Sequence, residues 1–386
     1  MSETVQPHVL IAGVAVRALA VSAARAGFRV TAVDAFGDLD LRGVATVIPL
    51  RVEQGPQYSP LAAVRAARAV PAELVAYTAN FENHPTAVAK LAGQRRLLGN
   101  LPSVLTRVRN PIELMRVLRR RGFTSPDTRA TPPIPRHAPG SWLLKPRRSG
   151  GGHGTRVWRE GEPLNRTHYL QERIEGTPGS IVFAADGRRA VTLGLTRQLV
   201  GDARLGAYGF RYCGSLLGNP GELFRRGERL FETASALATA LTAEYDLVGL
   251  NGIDFVVRNG VPYPIEVNPR YSASMELIER AHGLSMFETH LRACGGRLPP
   301  ALPPNAGVEG KAVVFARREV TLGDTRRWIG HDSYADVPHP SETIRRGHPI
   351  CTVFARASST EGCHRQLMKR AATVYRVAES ARRGAA

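Results

Sequence analysis

The chain has 386 residues, 43% of them hydrophobic and 22% charged, a globular composition too long for one ordinary core, so two or three domains are expected. The net charge of +19 invites a nucleic-acid partner. Only Lys90, Lys145, Lys311 and Lys369 are lysines, however, and the arginines are spread along the chain, which argues against nucleic acid and suits a genomic bias toward arginine or an anionic substrate.

Four cysteines, Cys213, Cys294, Cys351 and Cys363, show no CxxC spacing and no clustered histidines, which speaks against a zinc site or a disulfide framework. No apolar run reaches the about 18 residues needed to span a bilayer. The stretch "VLIAGVAVRALAVSAA" carries Arg17 inside it and lacks a basic leader, so a cytoplasmic protein with no membrane partner is expected.

In chain order, "HVLIAGVAVRALAVSAARAGFRVTAVDAF" reads as strand, helix and a second strand ending in Asp34, the start of an α/β layer with a parallel sheet. An acidic residue there suggests dinucleotide binding. That motif needs G-x-G-x-x-G at the first turn, and here Gly13 stands alone until Gly27, so no nicotinamide cofactor is expected. "ELVAYTA" (73–79) is the third strand, followed by the polar loop "NFENHP" and a helical stretch to about residue 98. "PIELMRVLRRR" (111–121) has helical apolar spacing, with Pro111 placed to start it and Gly122 to stop it.

Five prolines within residues 125–142 mark a loop between units. A second proline cluster, "GGRLPPALPPN" (295–305), closes the central region. Two strands, "GKAVVFARREV" and "HPICTVFARA", and a helix around 361–380 then make a small third unit. The boundaries expected are 1–100, 101–300 and 301–386.

Chemistry concentrates in two places. "SWLLKPRRSGGGHGTRVW" (141–158) is strand, Lys145, glycine-rich loop, strand. Gly150, Gly151, Gly152 and Gly154 permit a loop whose amides wrap an anion, and Lys145 supplies a point charge to the same phosphates. It is not a P-loop, because the lysine precedes the glycines and the loop reads as a hairpin tip. "HYLQERIEGTPGS" (168–180) then leaves Gln171 and Glu172 at a hinge.

The second place is "GLNGIDFVVRNGVPYPIEVNPRY", two strands joined at Asn259-Gly260. Glu266, Asn268 and Arg270 alternate and share one face. Asp254 joins that face from the neighbouring strand if the loop has an odd number of residues, whereas a two-residue loop puts the two carboxylates on opposite faces. Two carboxylates and an amide oxygen are hard ligands that suit Mg²⁺, with substrate phosphates completing the shell. Arg270 has an anion to bind, a phosphate or a carboxylate becoming one.

This order of parts resembles the ATP-grasp superfamily along nearly the whole chain. The resemblance implies α/β and α+β architecture: a Rossmann-like preliminary domain, a two-subdomain ATP-binding core and a small β-rich closing domain. It implies Mg-ATP, with Lys145 on the phosphates and Ser149, Gly150, Gly151, Gly152, His153 and Gly154 as the flap. Gln171, Glu172 and Ile174 fall at the adenine end, Asp254, Glu266 and Asn268 on metal, and Arg270 on the transferring phosphoryl group. A lysine that many relatives carry before the flap is absent, so either Arg109 substitutes or that contact is missing. The ribose-binding glutamate is replaced by Gly179 and Ser180.

The implied activity is ligation of a carboxylate to an amine through an acyl phosphate. The C-terminal unit is similar to the closing domain of biotin-carboxylase-related enzymes. "FENHP…LLGNLP…VRNP" is similar to ligases associated with one-carbon cofactor pathways and to a tyramine-glutamate ligase, which implies an amino acid such as glutamate as a substrate. Family habit implies a homodimer. Carboxylation through carboxyphosphate and a basic nucleic-acid-binding role on the same frame are the alternatives.

Overall fold

The computed structural model describes residues 6–50, 58–131 and 141–383; most of the five-proline stretch, 132–140, lies outside them. Strands β1 (His8–Ala12), β2 (Arg29–Asp34), β3 (Thr46–Pro49), β4 (Leu74–Tyr77) and β5 (Arg96–Leu98) form a parallel sheet in the order β3-β2-β1-β4-β5. β1 is buried at all five positions, as expected of a strand covered on both faces. "ELVAYTA" is therefore the fourth strand, because the short β3 carries no pattern long enough to announce itself. The helical stretch expected to reach residue 98 ends at Ala92, and β5 follows after a turn at Gly93 (φ 53°).

Both hints of dinucleotide binding turn out to be structural. A Cβ on Gly13 would lie 1.9 Å from Thr78 Oγ1, so glycine is needed there for the close approach of two loops. Asp34 accepts from the backbone N–H groups of Val16, Phe36 and Gly37, at 2.8, 2.7 and 2.8 Å, and caps its own turn.

A second sheet, in the order β6-β9-β7-β8, consists of β6 (Thr128–Arg129), β7 (Trp142–Pro146), β8 (Arg156–Val157) and β9 (His168–Glu172). The third comprises β10 (Thr177–Asp186), β11 (Ala190–Val200), β12 (Tyr212–Leu217), β13 (Val248–Arg258), β14 (Val261–Asn268) and β15 (Val308–Phe315), joined by β17 (Tyr334–Ala335) and β19 (Pro349–Ala357). β16 (Val320–Thr321) and β18 (Thr343–Ile344) pair separately. The sheet order β14-β13-β10-β11-β12-β15-β19-β17 runs straight from the central region into the C-terminal one. The 301–386 segment thus extends the core sheet: β15 pairs with β12, and the helix Thr360–Arg383 packs its Leu367, Ala371 and Val374 into the same core as Phe183 and Phe255.

The helix Pro111–Arg120 follows from its sequence. Asn110 accepts from Ile112 N and Glu113 N at 3.1 and 3.4 Å, Pro111 opens it, and Gly122 takes φ 79° just past its end. Among the described residues no helix is long and apolar enough to cross a membrane.

Candidate functional site

The β13–β14 hairpin closes in two residues, Asn259 (φ 55°) and Gly260 (φ 81°), since Arg258 pairs with Val261. By the alternation rule that loop would set Asp254 and Glu266 on opposite faces. A β-bulge corrects it. Phe255 pairs with Pro264 but Asp254 pairs with Glu266, so Ile265 is an extra residue and the two carboxylates stand directly opposite each other on one face. Of the two loop lengths left open by the sequence, the two-residue one is present, and the bulge rather than the loop brings the carboxylates to one face. Pro262 and Pro264 are tolerated because β14 is the edge of the sheet, where alternate N–H groups have no ladder partner.

Asp254 is held on both oxygens: Gln198 Nε2 donates to Oδ1 and Asn268 Nδ2 to Oδ2, each at 2.9 Å. Arg270 lies just past the end of β14, buried, and its Nη2 donates to Asn268 Oδ1 at 3.2 Å. The anion awaiting Arg270 is already partly supplied by the protein, because the same Nη2 lies 2.8 Å from Glu82 Oε1, while Nε has no partner.

Lys145 comes from β7, opposite Tyr169 of β9. Its Nζ donates to Gln171 Oε1 at 2.9 Å and lies 5.7 Å from the centre of the Tyr169 ring. The glycine loop between β7 and β8 is a hairpin tip, with Gly151, Gly152 and Gly154 at φ 61°, 76° and 72°. It folds against the chain before β12: Tyr212 N donates to Gly151 O at 3.0 Å, and a Cβ on Gly152 would lie 1.8 Å from Phe210 O. Ser149, Gly150, Gly151 and Gly152 line the cavity, but His153 and Gly154 do not, and His153 is exposed.

Arg109 ties the loop to the hairpin. Its guanidinium donates to Ser149 O at 3.2 Å, to Val267 O at 2.9 Å and to Asn83 Oδ1 at 2.8 Å, and lies 3.7 Å from Glu266 Oε2. Asn83 also donates to Ser149 O at 3.2 Å. Glu82 and Asn83, in the "NFENHP" loop, are the functional neighbours that motif reading passed over. The signal was their position at the carboxyl end of a parallel strand, where open α/β sheets place ligand-facing loops. Gln198 had no comparable signal.

Against this geometry stand the comparisons. Residues 108–274 match the model of the ATP-grasp domain family. The chain carries an ATP-grasp domain. An uncharacterized protein of Methanocaldococcus jannaschii is 23% identical over 287 residues, 72% of this chain and 67% of that one. Rhizobium etli pyruvate carboxylase matches 95% of this chain with a TM-score of 0.73 at 14% identity, and this chain spans only 37% of the carboxylase. The L-amino acid ligase from Bacillus licheniformis has a TM-score of 0.65 at 15% identity, over 95% of this chain and 97% of the ligase. At such identities the likeness is one of fold, and that fold is the one the motif order implied.

Arg109, Lys145, Asp254, Glu266, Asn268 and Arg270 share a cavity of about 790 Å³. Its apolar end includes Leu114, Leu143, Ile174 and Val256, with Glu172 at the rim accepting from Asp127 N at 3.0 Å. Gln171 reaches the wall too, but it is 1% exposed and its amide is bonded at both ends to protein groups. Past Arg270 the cavity continues to Tyr212, Lys311, Asp336 and Thr352.

Electrostatically the two carboxylates are driven apart. Burial, together with the facing Glu266, pushes Asp254 up to about 6. Burial acts on Glu266 in the same direction, but Arg109, Lys145 and Arg270 outweigh it and leave that carboxyl below its usual range. Two opposed carboxylates with an adjacent amide oxygen form a hard-oxygen donor set whose mutual repulsion a divalent cation would relieve, so the residues fit Mg²⁺.

Proposed function

We propose that the protein is an ATP-dependent ligase that joins a carboxylate to an amine through an acyl phosphate, with an amino acid as one substrate. The observation that carries this reading is the convergence of Lys145, Arg109, Arg270 and the Asp254–Glu266 pair with a glycine loop on one cavity. The apolar end suits adenine, and Lys145 and the loop amides suit the phosphates. Asp254, Glu266 and Asn268 would hold Mg²⁺, which when bound neutralises phosphate oxygens as the phosphoryl group moves.

Within this scheme the chain's own work is positioning and charge compensation. Arg270, fixed by Glu82 and Asn268, lines the cavity with its charge held in place to meet a carboxylate or a phosphoryl oxygen. Arg109 holds the loop backbone over the hairpin and so limits water between them. The acceptor substrate occupies the end bounded by Tyr212, Lys311 and Asp336.

The test is phosphate and ADP release from Mg-ATP across paired panels of carboxylic acids, amino acids and amines. Release that needs both an acid and an amine is expected. Release stimulated by bicarbonate without an amine would replace this reading with carboxylation through carboxyphosphate. Absence of both hydrolysis and nucleotide binding would remove the enzyme reading altogether.

A further inference from the structure

One buried side chain joins the two halves of the site. Gln171 Oε1 accepts from Lys145 Nζ at 2.9 Å, and its Nε2 donates to Ile265 O at 3.3 Å. The orientation of the amide is unambiguous, since a lysine ammonium only donates and a backbone carbonyl only accepts. Ile265 is the extra residue of the bulge, the one whose insertion brings Glu266 opposite Asp254. Extra residues of bulges fall out of the ladder, so this carbonyl needs a partner from elsewhere. Lys145 and Gln171 belong to the four-stranded sheet and Ile265 to the eight-stranded one, and no ladder pairs the two sheets among the described residues.

We propose that Gln171 is a positioning residue that sets the Lys145 sheet against the metal hairpin, so that phosphate binding at Lys145 and cation binding at Asp254–Glu266 are coupled through one amide. The proposal rests on the Mg-ATP reading above. A primary amide is the group that meets both demands: a carboxylate would hold Lys145 but oppose the Ile265 carbonyl, and a thioether would do neither. The amide of Gln171 is taken up by protein groups at both ends, so its effect passes through Lys145 and Ile265.

The experiment is a melting-temperature titration with MgCl₂ at saturating ADP, and with ADP alone, on wild type, Gln171→Met and Gln171→Glu. Partners that orient metal ligands typically contribute about 10- to 100-fold to metal affinity. Both variants are expected to raise the Mg²⁺ midpoint by about tenfold or more. Gln171→Glu should retain the shift with ADP alone, because Lys145 keeps a partner, whereas Gln171→Met should lose most of it. Mg²⁺ midpoints within about twofold of wild type in the variants that fold would overturn the proposal, even if their ligand-free melting is lowered, because a purely structural residue moves only the latter. If Gln171→Met does not fold, Gln171→Glu alone decides. A wild type that shows no shift with Mg²⁺ and ADP fails the nucleotide reading itself and the coupling with it, a result distinct from a wild-type shift kept in full by the variants.

Discussion

Two charged clusters face the same cavity and are built on opposite plans. In the first, Asp254 and Glu266 are opposed like charges, with Arg109 no nearer than 3.7 Å to Glu266 and Asp254 pushed up to about 6 by burial and its neighbour. In the second, Glu276 is gripped by both Arg17 and Lys311, the latter at 2.6 Å, and Arg17 Nε donates to Asp336 at 2.9 Å. Burial opposes the charge on Glu276, yet the two cations hold its carboxyl far below the usual range. One cluster stores repulsion that a ligand can relieve; the other has already neutralised itself. The second ties the N-terminal layer to the C-terminal segment, since Asp40 also accepts from the N–H groups of Asp336 and Val337, both at 2.9 Å. Charge density in a cleft therefore does not by itself mark the reactive centre: the pattern of compensation separates a clamp from a binding site.

The largest effect that would break this contrast is on the clamp. Glu276→Gln leaves buried Lys311 without its carboxylate and Arg17 with Asp336 as its near one, and removing one partner of a buried pair costs about 3–5 kcal/mol, so its urea midpoint should fall steeply. A loss below about 1 kcal/mol would mean that the clamp is no clamp.

Next is Glu266→Gln, which should melt within a few degrees of wild type yet lose the magnesium-dependent nucleotide shift and at least about 100-fold of turnover, equivalent to about 2.7 kcal/mol of barrier. Circular dichroism showing an unfolded variant would point to a structural role instead.

The smallest effect sharpens the comparison through pH. A carboxyl whose pKa is raised on folding leaves stability intact at low pH and reduces it as pH climbs through the folded value. For Asp254 the penalty is absent below about pH 4 and complete above about pH 6. Asp254→Asn should accordingly gain stability relative to wild type as pH rises from 4 to 8, by at most about 3 kcal/mol. Metal ligands bind deprotonated, so the wild-type Mg²⁺ midpoint should worsen as pH drops below about 6. Glu276, with its lowered value, behaves in the opposite sense: its contribution is present above pH about 4.5 and fades only in stronger acid.

Much of this site could be read from the chain because its pieces are local. Lys145 before three glycines, the alternation of Glu266 and Asn268, and the Asn259-Gly260 turn each follow from short-range rules of strand period and backbone freedom, and their order along the chain identified the fold. Strands too short to show a period, β3 and β5, were not legible. Nor was the continuity of the C-terminal strands with the central sheet, since ladder pairing between β12 and β15 joins segments about 95 residues apart and leaves no local trace.

What the sequence determined by itself was the inventory: a phosphate-wrapping loop, a lysine, a carboxylate hairpin and an α/β start. Tertiary structure alone decided which carboxylates face each other, through one extra residue at Ile265, and which arginines are spent on the protein's own acids. The reason is physical. Strand period and turn chemistry act between neighbours in sequence, whereas register, burial and charge compensation depend on partners such as Glu82, Gln171 and Lys311 that meet only when the chain has folded.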